Sequence, residues 1–303
     1  MSKVQSKKVL VVAQLALGDS YILRENFLSV LPDDLEVTVL CHEYNQFIFT
    51  GYQLIIENWP IAVNRHWKWG VIFPSKKFDP FEHILIPSAH IRELIFARFR
   101  FKNSKLLIPK GNQFAKMQKN QNNLSYLGLD VLKLESGHWY ELYTDFANAV
   151  LKKFKLQQKI VHGEPVNNVE YRNEIVLSPY SNLRVRYKWI PDAMVDLILE
   201  DSLEKERAVI LIADVEHRLE KHRIKGVVFM TPSEAYKELD GKQFKTGYFC
   251  DSFMSHFFYN KVIAHRVFIS RVDPFHRFAV PEHLEFFDNS SNLRKMLSSS
   301  KLI

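Results

Sequence analysis

The chain has 303 residues, a formal net charge of +7 and a pI of about 9.2, with 47% hydrophobic and 25% charged residues. That length allows two domains of ordinary size with separate cores, and the composition excludes a disordered or low-complexity polypeptide. Cys41 and Cys250 alone cannot make a disulfide framework or a cysteine zinc site, no apolar run approaches bilayer-crossing length, and the dispersed Lys and Arg residues lack the aromatic-basic module of a nucleic-acid reader.

Lys8 to Ala13 is a continuous β-branched-rich run, the pattern of a parallel strand buried on both faces. Lys3, Lys7 and Lys8 ahead of it superficially resemble a signal peptide, but the apolar run is short, is interrupted by Gln14 and lacks a small-x-small cleavage pattern. Gly18-Asp19 punctuates the run, a helix is expected over Tyr21 to Leu31, and Pro32-Asp33-Asp34 ends it. Glu36 to Cys41 is a second strand, which completes a βαβ unit with its ligand end at Leu17-Gly18-Asp19.

Tyr44 to Phe78 reads as irregular and aromatic-rich, with Trp59, Trp67 and Trp69. His83 to Pro87 and Leu106 to Pro109 read as strands, His90 to Arg100 as a helix, and Lys110 to Asn123 as a polar loop. Leu142, Phe146, Val150 and Phe154 recur at the spacing of an amphipathic helix over 137–154. A first domain over 1–154 and a linker over 155–173 follow, because the linker segment is polar and without periodicity.

The pattern restarts in a second domain over 174–303. Strands are expected at Glu174 to Leu177, Ala208 to Ala213, Val227 to Met230 and Val262 to Ile269, and helices at Pro191 to Glu204 and Ser233 to Leu239. Phe244 to Phe249 is too polar for a clean buried strand. The alternation predicts two α/β domains with parallel sheets, whose ligands collect at the carboxyl ends of the strands in a cleft between the halves.

Four stretches carry candidate chemistry. In Cys250-Asp251-Ser252-Phe253-Met254-Ser255-His256, a helix beginning near Ser252 would aim free N–H groups at a phosphate, with Asp251 and His256 flanking; Asp and Ser also serve as ordinary helix caps. Asp19 is placed to accept a proton from an attacking hydroxyl, or to cap a helix. Ser178-Pro179-Tyr180-Ser181-Asn182, followed by Arg184, Arg186 and Lys188, suits a diphosphate, although three cations in five residues also describe a solvated loop. Asp214 and Glu216, at a strand exit, can accept hydrogen bonds from ribose hydroxyls or cap the next helix. There is no Gly-x-Gly-x-x-Gly, Walker loop, Gly-x-Ser-x-Gly or His-Glu-x-x-His, so dinucleotide, P-loop, serine-hydrolase and zincin chemistry lack their signatures.

In this order the stretches resemble the heptosyltransferase-type glycosyltransferases. The matching residues are Leu17-Gly18-Asp19, the His138-x-x-Glu141-x-Tyr143 element, Lys188-Trp189-Ile190-Pro191 as a loose Lys-x-Trp-Pro, Asp251-Ser252-Phe253-Met254-Ser255-His256 for Asp-(Ser/Thr)-Gly-x-x-His, and Val272-Asp273-Pro274 for Thr-Asp-Pro. The resemblance implies a GT-B fold, two Rossmann-like domains facing a cleft, and an inverting, metal-independent transfer from a nucleotide sugar, ADP-heptose being one candidate. It also implies a lipopolysaccharide or other surface-polysaccharide acceptor, in the cytosol or at the inner face of the cytoplasmic membrane, with an anionic membrane surface but no nucleic acid as partner. Asp19 would be the base and Lys188 would offset charge on the leaving diphosphate. Ser181, Arg186, Glu216, Asp251, Ser252, Ser255 and His256 would complete the donor site. Phe253 stands where the family has glycine, and Asp214-Val215 where it has Gly-Gly; a non-catalytic nucleotide- or glycan-binding module is the alternative.

Overall fold

The computed structural model describes residues 7–56, 81–88, 91–110, 129–134, 139–159, 170–181, 188–214, 225–269 and 284–299. The chain divides into two compact units, Met1–His162 and Gly163–Ile303.

The first unit holds a six-stranded sheet with β1 (Lys7–Ala13), β2 (Leu35–Cys41), β3 (Gln53–Ile56), β4 (His83–Leu85), β5 (Lys105–Lys110) and β6 (Leu129–Lys133) in the order β3-β2-β1-β4-β5-β6. Every pairing is parallel. Val9 to Ala13 are all fully buried, because helices cover both faces. On one face α2 (Ile91–Arg100) places Leu94, Phe96 and Ala97 against Leu10, Val12, Ile84, Leu106 and Ile108. On the other, α1 (Leu17–Asn26) packs with α3 (Trp139–Phe154), where the Phe27 and Phe146 rings stack 5.3 Å apart. Leu142, Phe146, Val150 and Phe154 are buried, as their spacing predicts.

Two expectations fail here. α1 begins at Leu17, so Gly18-Asp19 lies inside its first turn rather than ahead of it, and the helix ends at Asn26 before a 3₁₀ turn at Leu28–Val30. The stretch read as irregular contains a 3₁₀ segment at Glu43–Phe49 and the edge strand β3. β3 is only four residues long and half-exposed, too short and polar to stand out by periodicity. The three tryptophans and the 110–123 loop, apart from Lys110, lie outside the described residues.

The second unit repeats the design with β7 (Tyr171–Ser178), β8 (Val209–Ile212), β9 (Val227–Met230), β10 (Gln243–Cys250), β11 (Val262–Phe268) and β12 (Leu284–Phe287), in the order β12-β11-β10-β7-β8-β9. All pairings are again parallel. α4 (Asp192–Glu204) and α7 (Ser290–Ser299) cover one face through Val195, Ile198, Leu199, Leu293 and Leu297. α5 (Pro232–Glu238) starts where Thr231 and Glu234 form a reciprocal capping box, with Pro232 at the first helical position.

Phe244 to Phe249 does form a strand, and β10 occupies the middle of the sheet. Its polar residues are accommodated one by one. Tyr248 accepts from the buried Arg266, whose guanidinium also donates to Glu285 (2.5 and 2.7 Å). Gly247 leaves room for the Phe249 ring, which a Cβ would meet at 2.5 Å. That ring stacks on Phe258 at 5.5 Å and lies tilted against His265 at 4.5 Å, so aromatic packing as well as aliphatic burial holds the strand.

Candidate active site

In an open parallel sheet, ligands bind beyond the carboxyl ends of the strands where the winding direction reverses. The reversals fall between β1 and β4 in the first unit and between β7 and β10 in the second. Most of the residues singled out in the sequence lie at these two points.

At the β1/β4 reversal, the start of α1 is fixed by the element that follows β2. The Tyr44 hydroxyl and Asn45 Nδ2 donate to Leu15 O (2.7 and 3.2 Å), and Asn45 Nδ2 also donates to Ser20 Oγ (2.9 Å). Ala16 occupies the N-cap without a capping side chain. Asp19 is thus a first-turn carboxylate, favourably placed in the helix dipole, and does not occupy the N-cap. It is half-buried. Burial, with the Asp19 charge added, pushes the Tyr44 phenol up to about 12. Burial, Asp19 and Glu93 together drive the fully buried Tyr143 phenol well above the usual tyrosine range.

Glu93 is a component that sequence reasoning missed. It lies in the first turn of α2, after β4, the position that Asp19 holds after β1. Glu93 is 3% exposed, and the buried Ser88 hydroxyl donates to its carboxylate. Two carboxylates and two phenols therefore surround the reversal. Glu93 lies in an ordinary amphipathic helix pattern, and only the strand order reveals it as a neighbour of Asp19.

At the β7/β10 reversal, register places Phe249 beside Ser178, so the residues after Cys250 adjoin those after Ser178. Ile190 N–H donates to Pro179 O (2.9 Å) and Trp189 Nε1 to Ser181 O (2.9 Å), which fold the chain back onto the strand exit. Lys188 then donates to Asp251 across 2.5 Å, each side chain 21% exposed. His256 adjoins both. Its pKa is lowered to about 4 by burial, with Lys188 acting in the same direction and Asp251 opposing, so the ring is neutral at pH 7.

Ser252 takes the N-cap position of α6 (Phe253–Phe257), but its side chain caps nothing. Its Oγ and that of Ser181 are buried and lack a full hydrogen-bond partner among the described residues; the Cys250 thiol, a weak donor, lies by Ser252. α6 has five residues, so its dipole contributes less than a full helix would. Ser255 turns inward and its hydroxyl lies 3.3 Å from His265 Nε2. Phe253 is 6% exposed, with its ring 6.1 Å from Tyr236 and 6.2 Å from Phe257, in an aromatic layer. Arg186, Glu216 and His138 lie outside the described residues.

Burial raises the thiol pKa of Cys41 to about 11 and of Cys250 to about 12, so neither is a nucleophile near neutrality. Among the described residues, no group of three or more His, Cys, Asp and Glu side chains could hold a metal ion, and no helix is long and apolar enough to cross a membrane. A groove of about 420 Å³, lined in part by Pro32, Glu36, Tyr52 and Lys159, opens at the amino-terminal edge of β2 and β3, the opposite edge from the reversal.

Two doubly wound, six-stranded parallel sheets in tandem give the chain a GT-B fold. Its likeness to solved glycosyltransferases spans nearly the whole length. E. coli heptosyltransferase WaaC with ADP aligns over 97% of each chain with a TM-score of 0.66 and 12% identity. E. coli ADP-heptose lps heptosyltransferase II aligns over 97% of this chain and 99% of its own (TM-score 0.58, 10% identity), and a glycosyl transferase of family 9 from Veillonella parvula DSM 2008 over 99% and 93% (0.59, 12%). No family model matches the sequence and no curated protein does.

Proposed function

We propose that the chain is an inverting, metal-independent glycosyltransferase that moves a sugar from a nucleotide-sugar donor to a lipopolysaccharide or other surface-polysaccharide acceptor. The observation that carries this reading is the Lys188–Asp251 pair beside His256 at the β7/β10 reversal, assembled from residues 63 apart in sequence. A cation for the diphosphate and a carboxylate for sugar hydroxyls are the two groups that a nucleotide sugar needs at one point. The Ser181 and Ser252 hydroxyls supply further donors, with Arg186 and Glu216 assigned to phosphate and ribose by the family resemblance. Ser255, whose hydroxyl faces His265, holds the fold of this loop rather than the ligand.

In the reaction, the acceptor hydroxyl oxygen attacks the anomeric carbon while its proton passes to Asp19. The bond from that carbon to the diphosphate oxygen breaks, and its electron pair leaves with the nucleoside diphosphate, whose charge Lys188 offsets. ADP-heptose is a candidate donor, since WaaC is described with ADP and with ADP-2-deoxy-2-fluoro heptose. An acceptor anchored at the inner face of the cytoplasmic membrane fits the +7 charge.

The test is turnover of ADP-, UDP- and GDP-linked sugars with envelope glycolipid as acceptor, in the wild type and in Asp19→Ala. Transfer by the wild type and its loss in the variant, with nucleotide binding retained, is the expected result. Nucleotide binding without any transfer or hydrolysis would favour the non-catalytic module. Unchanged turnover in Asp19→Ala would remove Asp19 as the base.

A further inference from the structure

We infer that Asp251 makes this site discriminate an intact nucleotide sugar from the nucleoside diphosphate that remains after transfer, acting through its pair with Lys188. The inference rests on the donor-site reading above and adds a selectivity to it. Lys188 and Asp251 lie 2.5 Å apart and each is about four-fifths buried. A phosphate oxygen taken up by Lys188 must therefore approach a carboxylate held against the same ammonium group. The neutral His256 brings no compensating charge, so these three side chains sum to zero before a ligand arrives.

A nucleoside diphosphate brings anionic oxygens for Lys188 and no hydroxyl beside its terminal phosphate. It draws the ammonium away and leaves Asp251 facing like charge in a partly desolvated place. A nucleotide sugar carries ring hydroxyls next to the same phosphate, and these can donate to Asp251 as Lys188 turns to the diphosphate. Both partners of the broken pair are then satisfied. The same arrangement weakens the hold on the product once the sugar has left.

The test compares dissociation constants for matched ligands, ADP with an ADP-linked sugar and UDP with UDP-glucose, by calorimetry. The wild type should bind the sugar-linked member more tightly. In Asp251→Asn the free diphosphate should bind about tenfold more tightly, with the sugar-linked form unchanged or weaker, so that the preference collapses; Asp251→Glu, which keeps the charge, should retain it. A preference unchanged by Asp251→Asn, in a protein with wild-type unfolding midpoint, overturns the inference and leaves the donor-site reading intact. If Asp251→Asn fails to fold, loss of the preference in Asp251→Glu overturns it instead. Failure of the wild type to bind any of these nucleotides overturns both.

Discussion

Both units use six parallel strands wound outward from a central reversal, yet they furnish that reversal with different chemistry. Between β1 and β4 stand the carboxylates of Asp19 and Glu93 and the phenols of Tyr44 and Tyr143. Between β7 and β10 stand an ammonium, a carboxylate and a neutral imidazole, with two buried hydroxyls that lack a full partner among the described residues. The first set suits accepting a proton, and the second suits holding an anion that also offers hydroxyls. One backbone plan thus carries two different sets of side chains, drawn from the segments after β1, β2, β4 and β6 in the first unit and after β7 and β10 in the second.

Substitution at each reversal should separate the tasks. Asp19→Asn keeps the shape and removes the proposed proton acceptor, so kcat should fall by about 10³-fold with nucleotide affinity nearly unchanged. Lys188→Ala should lower nucleotide affinity and kcat together, by about 10²-fold in kcat/KM, because it removes binding as well as leaving-group stabilisation. Steady-state kinetics with calorimetry on both variants makes the comparison. Equal effects on affinity from the two changes would break the division of labour.

Phe253 sharpens the comparison from the side of stability. It stands where the heptosyltransferase-type motif that this stretch resembles has glycine, but its ring packs with Tyr236 and Phe257. Phe253→Ala should cost about 3 kcal/mol in denaturant unfolding. Nucleotide affinity should change little. A loss of affinity without a loss of stability would mean that the ring serves the ligand.

Acid should weaken both units. His42 in the first and His256 in the second have pKa values lowered to about 4, chiefly by burial, and burial also lowers that of His83. The unfolded chain binds these protons below about pH 6.5, and the folded chain resists them until about pH 4. Stability is therefore fully present above about pH 6.5 and is lost progressively down to about pH 4, on the order of 3 kcal/mol for each of His42 and His256. Replacing His42 by Phe, which keeps a ring beside Tyr44, should flatten this slope in part, measured as unfolding free energy between pH 7 and 5.

The strands that form the reversals were legible to different degrees. β1 and β8 announce themselves as apolar runs, since a parallel strand buried on both faces has no polar side; β2, β9 and β11 are apolar enough to be read despite the exposed Glu36 and Val228 and the polar His265 and Arg266. β10 hides behind Lys245, Thr246 and Tyr248, whose accommodation depends on partners from other strands, Arg266 among them. β3, β6 and β12 mix polar and apolar residues over four or five positions, and α7 is missed in the tail although Leu293, Met296 and Leu297 recur at helical spacing. Motif order singled out Asp19, Lys188, Asp251 and His256. Glu93 has no motif, and its role becomes visible only when β4 is seen beside β1.

Glu93 and Tyr143 provide the finest test of the first unit. Tyr143 is buried in α3, close enough to Asp19 and Glu93 for both charges to raise its pKa, while Glu93 is anchored by Ser88. The phenol is thereby kept protonated near neutrality. Tyr143→Phe removes the hydroxyl alone and should lower kcat by about tenfold with nucleotide affinity unchanged, the size expected for a hydrogen bond to a charged group. Glu93→Gln still accepts from Ser88 and removes only the charge, so its effect should be smaller, about threefold. If Tyr143→Phe lowers kcat while Glu93→Gln does not, Tyr143 serves Asp19 alone and Glu93 only anchors the start of α2. If neither lowers kcat while Asp19→Asn does, Asp19 works without this buried support, and the contrast between the units reduces to one carboxylate against one ion pair.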